Sequence, residues 1–85
     1  MLIVEIYTAP FCGYCHAAKR LLNKKIVTFQ EIDISGNPER RSEMLARANG
    51  GHTVPQVFIN DKHIGGCDEL HALERSGKLG AMLAD

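Results

Sequence analysis

The stretch Phe11-Cys12-Gly13-Tyr14-Cys15-His16 sets two thiols two residues apart, directly after an apolar run and at the opening of an amphipathic one. Beside a β-α-β pattern, Cys-x-x-Cys points to thiol–disulfide chemistry. Upstream, Leu2-Ile3-Val4-Glu5-Ile6-Tyr7 is short, β-branched and nearly all apolar, which predicts a central strand buried on both faces. Pro10 pushes Ala9 towards extended geometry, so Thr8-Ala9-Pro10-Phe11 turns the chain before any helix begins. Downstream, Cys15, Ala18, Leu21 and Leu22 recur at helical spacing from about Gly13 to Asn23, with Lys19 and Arg20 on the solvated side. Cys12 therefore falls at a helix N-terminus.

Outward from this centre, Thr28-Phe29-Gln30-Glu31-Ile32-Asp33 alternates apolar and polar residues, completing a right-handed β-α-β unit with parallel strands. Asn37 can cap a second helix, with Pro38 at its first position, Glu39 complementing the dipole, and Met44, Leu45 and Ala48 as its apolar stripe. Asn49-Gly50-Gly51 ends it. Val57-Phe58-Ile59 and Lys62-His63-Ile64 flank Asn60-Asp61, residues that tolerate positive φ, so a β-hairpin is expected. Gly65-Gly66-Cys67-Asp68 leads into a last helix with Leu70 and Leu73 inward, stopping near Ser76-Gly77, after which Lys78 to Leu83 supplies one more turn. The order is β-α-β-α-β-β-α: an α/β fold with a four-stranded mixed sheet flanked by helices, in a single domain over residues 1–85.

At 85 residues the chain buries only roughly 60 to 65% of its unfolded surface, so a compact core is expected. Ten basic side chains balance ten acidic ones. No net field draws nucleic acid or anionic lipid, and neither partner is expected. The N-terminus lacks a basic leader, and its apolar run is broken by Glu5, which predicts a cytoplasmic protein. Three cysteines with one close pair suit a working dithiol plus a spare thiol better than a secreted disulfide scaffold.

At a helix N-terminus, unpaired N–H groups and the dipole favour a thiolate, so Cys12 is the expected nucleophile, and Cys15, one turn in, the resolving thiol. Lowering a thiol pKa from about 8.5 to about 5 raises the thiolate fraction at pH 7 by roughly 30-fold. With a Brønsted coefficient of about 0.45 it also costs roughly 40-fold in intrinsic reactivity. As an attacker such a thiolate gains nothing. Its advantage lies in leaving-group quality, and selectivity must come from how the site holds its substrate.

Cys12-Gly13-Tyr14-Cys15, Thr53-Val54-Pro55 and Gly65-Gly66-Cys67-Asp68, in this order and at these separations, resemble the motifs of the glutaredoxins of the thioredoxin-fold superfamily. The resemblance spans essentially the whole chain. It implies glutathione as co-substrate and glutathionylated or disulfide-containing proteins as partners, acted on by a monomer. It also implies a cis-proline at Pro55, which leaves the backbone of Val54 free to pair with the cysteinyl part of glutathione. Thr53 belongs to the same segment. The N–H groups of Gly66 and Cys67 would hold the γ-glutamyl carboxylate, Asp68 would face its ammonium, and Tyr14 would wall the pocket.

Two departures from the family pattern stand out. Thr8-Ala9-Pro10 lacks the lysine that binds the glycine carboxylate in many glutaredoxins, leaving Arg41, or Arg40 beside it, to do so. Gly13 replaces the commoner proline, and motifs without that proline are in some members associated with a [2Fe–2S] cluster bridged between two monomers by the first cysteine and glutathione. Cluster carriage, with Cys12 as ligand, is the rival expectation.

Other readings are blander. Cys12-Gly13-Tyr14-Cys15-His16 also matches a c-type haem attachment with Met82 as axial ligand, but the preceding strand and the missing leader oppose it. A zinc site of Cys12, Cys15, Cys67 and a histidine needs four convergent ligands, whereas His52, His63 and His71 are scattered over loop, strand and helix and are expected at the surface. His16 is expected to be solvated, Met44 and Met82 to fill core, and Cys67 to be either a small buried hydrophobe or a modifiable thiol beside the pocket.

Overall fold

The computed structural model describes residues 1–84; the last residue of the expected domain, Asp85, lies outside the described residues. Strand β1 (Val4–Thr8) pairs in parallel with β2 (Gln30–Asp33) and antiparallel with β3 (Gln56–Ile59), to which β4 (Lys62–Gly65) adds an antiparallel edge. The sheet order is β2-β1-β3-β4, so β1 and β3 are central as the apolar runs require. Helices α1 (Gly13–Lys24), α2 (Pro38–Arg47), α3 (Cys67–Arg75) and α4 (Leu79–Leu83) complete the thioredoxin-like arrangement.

Alternation along the central strands splits the core into two layers. Val4 and Ile6 of β1 and Val57 and Ile59 of β3 pack with Ala18, Leu21 and Leu22 of α1, Leu70 of α3, and Leu79 and Leu83 of α4. Tyr7 and Phe58 face the other way, onto Ile32, Ile34, Met44 and Ala48. Met82 packs against the first layer, and Met44 is fully buried in the second, both as expected of core fillers.

Strand β1 begins at Val4, two residues later than the apolar pattern suggests, and runs on through Thr8. Thr8 stays in the strand because its hydroxyl donates to Glu31 Oε2 at 2.8 Å, next to Lys19 Nζ at 3.0 Å from the same oxygen. In β2, Thr28 and Phe29 precede the ladder, which starts at Gln30. The hairpin is as expected: Asn60 and Asp61 both take positive φ, 49° and 67°, matching the twist of the strands they join. Chain turns therefore deliver three loops to one end of the sheet: the residues before α1, the segment before β3, and the turn before α3.

Candidate active site

Cys12 is the N-cap of α1, in extended geometry, and its sulfur accepts a hydrogen bond from the Cys15 N–H at 3.1 Å. No acidic residue occupies the first turn of α1. The Cys12 sulfur is thus the side-chain acceptor at this helix end. The Cys12 thiol reaches towards the Val54 carbonyl at 3.8 Å, which ties this sulfur to the segment before β3. Cys15 is only 1% exposed. Burial, and then its contact with Cys12, push its thiol pKa up to about 12. The two sulfurs are therefore chemically unequal before any substrate arrives.

Beside Cys12 lies a cleft of about 440 Å³ lined by Tyr14, Thr53, Val54, Pro55, Gly66, Cys67, Asp68 and Glu69. Seven of these are residues that the sequence singles out. The Val54-Pro55 peptide is cis. Gly66 is needed for close approach, since a Cβ there would stand 3.2 Å from the Pro55 carbonyl oxygen and 3.3 Å from Glu69 Oε1. Gly65, at φ +121°, would drive a side chain into Glu69 at 2.8 Å. Glycine at both positions lets the start of α3 close against the cis-proline segment.

Glu69 is the residue that the sequence reading missed. Its carboxylate accepts from the Gly66 N–H at 2.6 Å, closing the first turn of α3. The Gly66 N–H expected to receive a ligand carboxylate is thus already taken, and the free donors at this helix end are those of Cys67 and Asp68. A glutamate three residues after the cap is the signal that would have found it.

Thr53 is held by a relay that the sequence does not announce. Gln56, 5% exposed, donates from Nε2 to the Thr53 carbonyl at 2.9 Å, while its Oε1 meets His63 Nε2 at 2.7 Å. His63 also lies against Phe58, ring centroids 5.1 Å apart. It is therefore a half-buried bridging group, not the surface histidine expected. His71 likewise turns inward, its Nδ1 2.9 Å from the Cys67 carbonyl and 3.4 Å from the Cys67 sulfur. Cys67 is buried, and burial raises its thiol pKa. Of its two expected roles the packing favours the small hydrophobe, although the residue also lines the cleft. His16 and His52 are exposed.

Arg41 is exposed on α2 and is not among the residues lining the cleft. Among the described residues no group of three or more His, Cys, Asp or Glu side chains converges to hold a metal ion. No helix of the described residues is long and apolar enough to cross a membrane.

An N-capping cysteine, a buried partner one turn on and a cis-proline loop beside them define a thiol–disulfide oxidoreductase of the thioredoxin superfamily. Residues 4–64 match the Glutaredoxin family model. The chain is 58% identical over 81 residues to a glutaredoxin of Pseudomonas aeruginosa, covering 95% of each. It superposes on the buckwheat glutaredoxin–glutathione complex with a TM-score of 0.87 at 34% identity, covering 96% of this chain and 76% of that one. A solved structure presented as "Metal Binding of Glutaredoxins" matches at 52% identity and a TM-score of 0.73, covering 98% of this chain and 89% of the other. The chain belongs to the glutaredoxin family.

Proposed function

We propose that the protein is a glutathione-dependent oxidoreductase that reduces glutathione mixed disulfides and protein disulfides, acting as a cytoplasmic monomer. The observation that supports this best is the pairing of Cys12, at the mouth of the cleft, with a Cys15 thiol that burial keeps protonated. On a glutathionylated protein, the Cys12 thiolate attacks the glutathione sulfur, and the protein thiolate leaves and takes up a proton. A second glutathione thiolate then attacks the bound glutathione sulfur, releasing Cys12 and glutathione disulfide. Cys15 is not needed for this cycle. On a protein disulfide, the Cys12 thiolate attacks one sulfur, forming a mixed disulfide and freeing the other sulfur as a thiol. Cys15 then attacks the Cys12 sulfur, its proton passing to the departing substrate thiolate, and the resulting Cys12–Cys15 disulfide is reduced by two glutathione molecules, which leave as glutathione disulfide.

Glutathione would lie with its cysteinyl backbone along Val54, its γ-glutamyl carboxylate on the Cys67 and Asp68 N–H groups, and its ammonium facing the Asp68 carboxylate. Tyr14, Thr53, Pro55 and Gly66 line the cleft, and the glycine carboxylate, projecting beyond that lining, would fall to Arg41 on α2. In a deglutathionylation assay Cys12→Ser should abolish turnover, whereas Cys15→Ser should retain it. Activity retained by Cys12→Ser would overturn the assignment.

A second reading, cluster carriage, draws support from the metal-binding relative and from Gly13, where a Cβ would meet nothing within 4 Å. A [2Fe–2S] cluster takes four thiolates, and among the described residues Cys12 is the one cysteine that is not buried. The donor set fits only if two copies each present Cys12 and each bring a glutathione thiol. Anaerobic reconstitution with glutathione should then give a coloured dimer that returns to a colourless monomer when the iron is lost. A colourless monomer after reconstitution rejects this reading.

A further inference from the structure

Phe11, the residue immediately before the nucleophile, is fully exposed and takes a positive φ of 58°. Left-handed backbone is unfavourable for a bulky side chain and is ordinarily given to Gly or Asn. The fold gains nothing from a ring at this position, because the ring packs against none of the structure. Ile26 shares the same φ and exposure, but it follows the C-cap of α1 and its N–H closes onto the Asn23 carbonyl, so there the left-handed residue ends a helix. Phe11 has no such duty. It sits between Pro10 and the N-cap, and Tyr14, three residues on, is itself 66% exposed.

Phe11 does not line the cleft, so it remains uncovered when the cleft is full. A glutathionylated protein has two halves, and the cleft accommodates one. The other half is a polypeptide that must come up to the Cys12 neighbourhood for sulfur to meet sulfur. A rigid aromatic ring held in solvent beside that point suits an apolar side chain next to the modified cysteine, and it loses little rotamer freedom on contact. We propose that Phe11 is a docking residue for the polypeptide half of the disulfide, favouring substrates with apolar residues beside the target cysteine. This rests on the oxidoreductase reading above.

The test uses three glutathione mixed disulfides: that of 2-mercaptoethanol, and those of two short peptides that differ only in having Leu or Ser on each side of the cysteine. The wild-type protein should turn over the Leu peptide with a kcat/KM about 5- to 10-fold above that of the Ser peptide. Phe11→Asn, which keeps a residue suited to positive φ, should erase that preference while leaving the mercaptoethanol disulfide within about 2-fold. Phe11→Tyr should restore the preference. Equal turnover of the two peptides by the wild type, or an equal loss on all three substrates in Phe11→Asn, would overturn the proposal. Failure of the wild type to reduce any of the three would instead overturn the oxidoreductase reading.

Discussion

At the scale of single residues, the site depends on a division between one accessible sulfur and two withdrawn ones. Cys12 is half-buried at a helix end, whereas Cys15 and Cys67 are buried and burial raises the pKa of both. Brief alkylation of the reduced protein with iodoacetamide at pH 7 should therefore add one group, located on Cys12 by peptide mass analysis. Two or three adducts on the folded protein would contradict this ordering of the thiols. The positions of Cys12, Cys15 and most of the cleft residues are legible in the sequence because each is marked by a local rule: spacing, proline, or paired glycines. Gln56 is not marked in that way, since its role arises from partners brought close only by the β3–β4 pairing, whereas Glu69 carries a local mark in its place three residues after the Gly66 cap. Gln56→Leu leaves the Thr53 carbonyl and His63 without their shared partner. It should cost about 1 to 3 kcal/mol of stability and raise the KM for glutathione more than it lowers kcat.

At the scale of elements, the second helix shows what a periodicity reading omits. Its cap and proline are legible: Asn37 accepts from the Arg40 N–H at 3.2 Å, and Pro38 opens the helix. What fastens it to the sheet is polar. Arg47 reaches Glu5 at 2.8 Å, the Tyr7 hydroxyl at 2.8 Å and Asp61 at 2.9 Å, with its guanidinium 4.1 Å from the Phe58 ring centre. The Tyr7 hydroxyl also donates to Glu43. Glu5, which interrupts an otherwise apolar strand in the sequence, shares the face of β1 that carries Tyr7 and meets Arg47 of the helix packed there. Replacing Arg47 with Met should lower stability by roughly 2 kcal/mol, because a half-buried carboxylate and a phenol lose their common donor. Lysine should recover only part, having no planar fork to serve several acceptors. Thermal or urea unfolding would measure both, with deglutathionylation by the folded variants expected to stay near wild type.

At the scale of the whole molecule, ionisation and folding are linked at both ends of the pH range. Cys15 ionises near 9 ordinarily but near 12 in the fold, so below about pH 9 the thiol is protonated in both states and its contribution is fully present. As pH climbs from about 9 to about 12, the unfolded chain ionises first and stability falls. A Cys15→Ala variant should show a shallower alkaline decline in urea-unfolding free energy than the wild type. At the acid end, Lys19 holds Glu31 below the usual carboxylate range, and the Tyr7 hydroxyl does the same for Glu43. Their stabilisation is present above about pH 4.5 and is lost as pH falls through the lowered values. The fold as a whole was readable because its strands are short and its turns chemically explicit, as at Asn60-Asp61. The strand ends were less so, since Thr8 extends β1 through a hydroxyl bond to another strand. The burial of Cys15 has one more consequence, for the direction of the cycle proposed above. With that sulfur in the core, the Cys12–Cys15 bond of the proposed dithiol cycle would draw Cys12 inward, away from the Val54 carbonyl. Oxidation would then work as a latch: it would withdraw the docking sulfur, release the product, and leave the spent protein unable to hold another disulfide until it has been recharged.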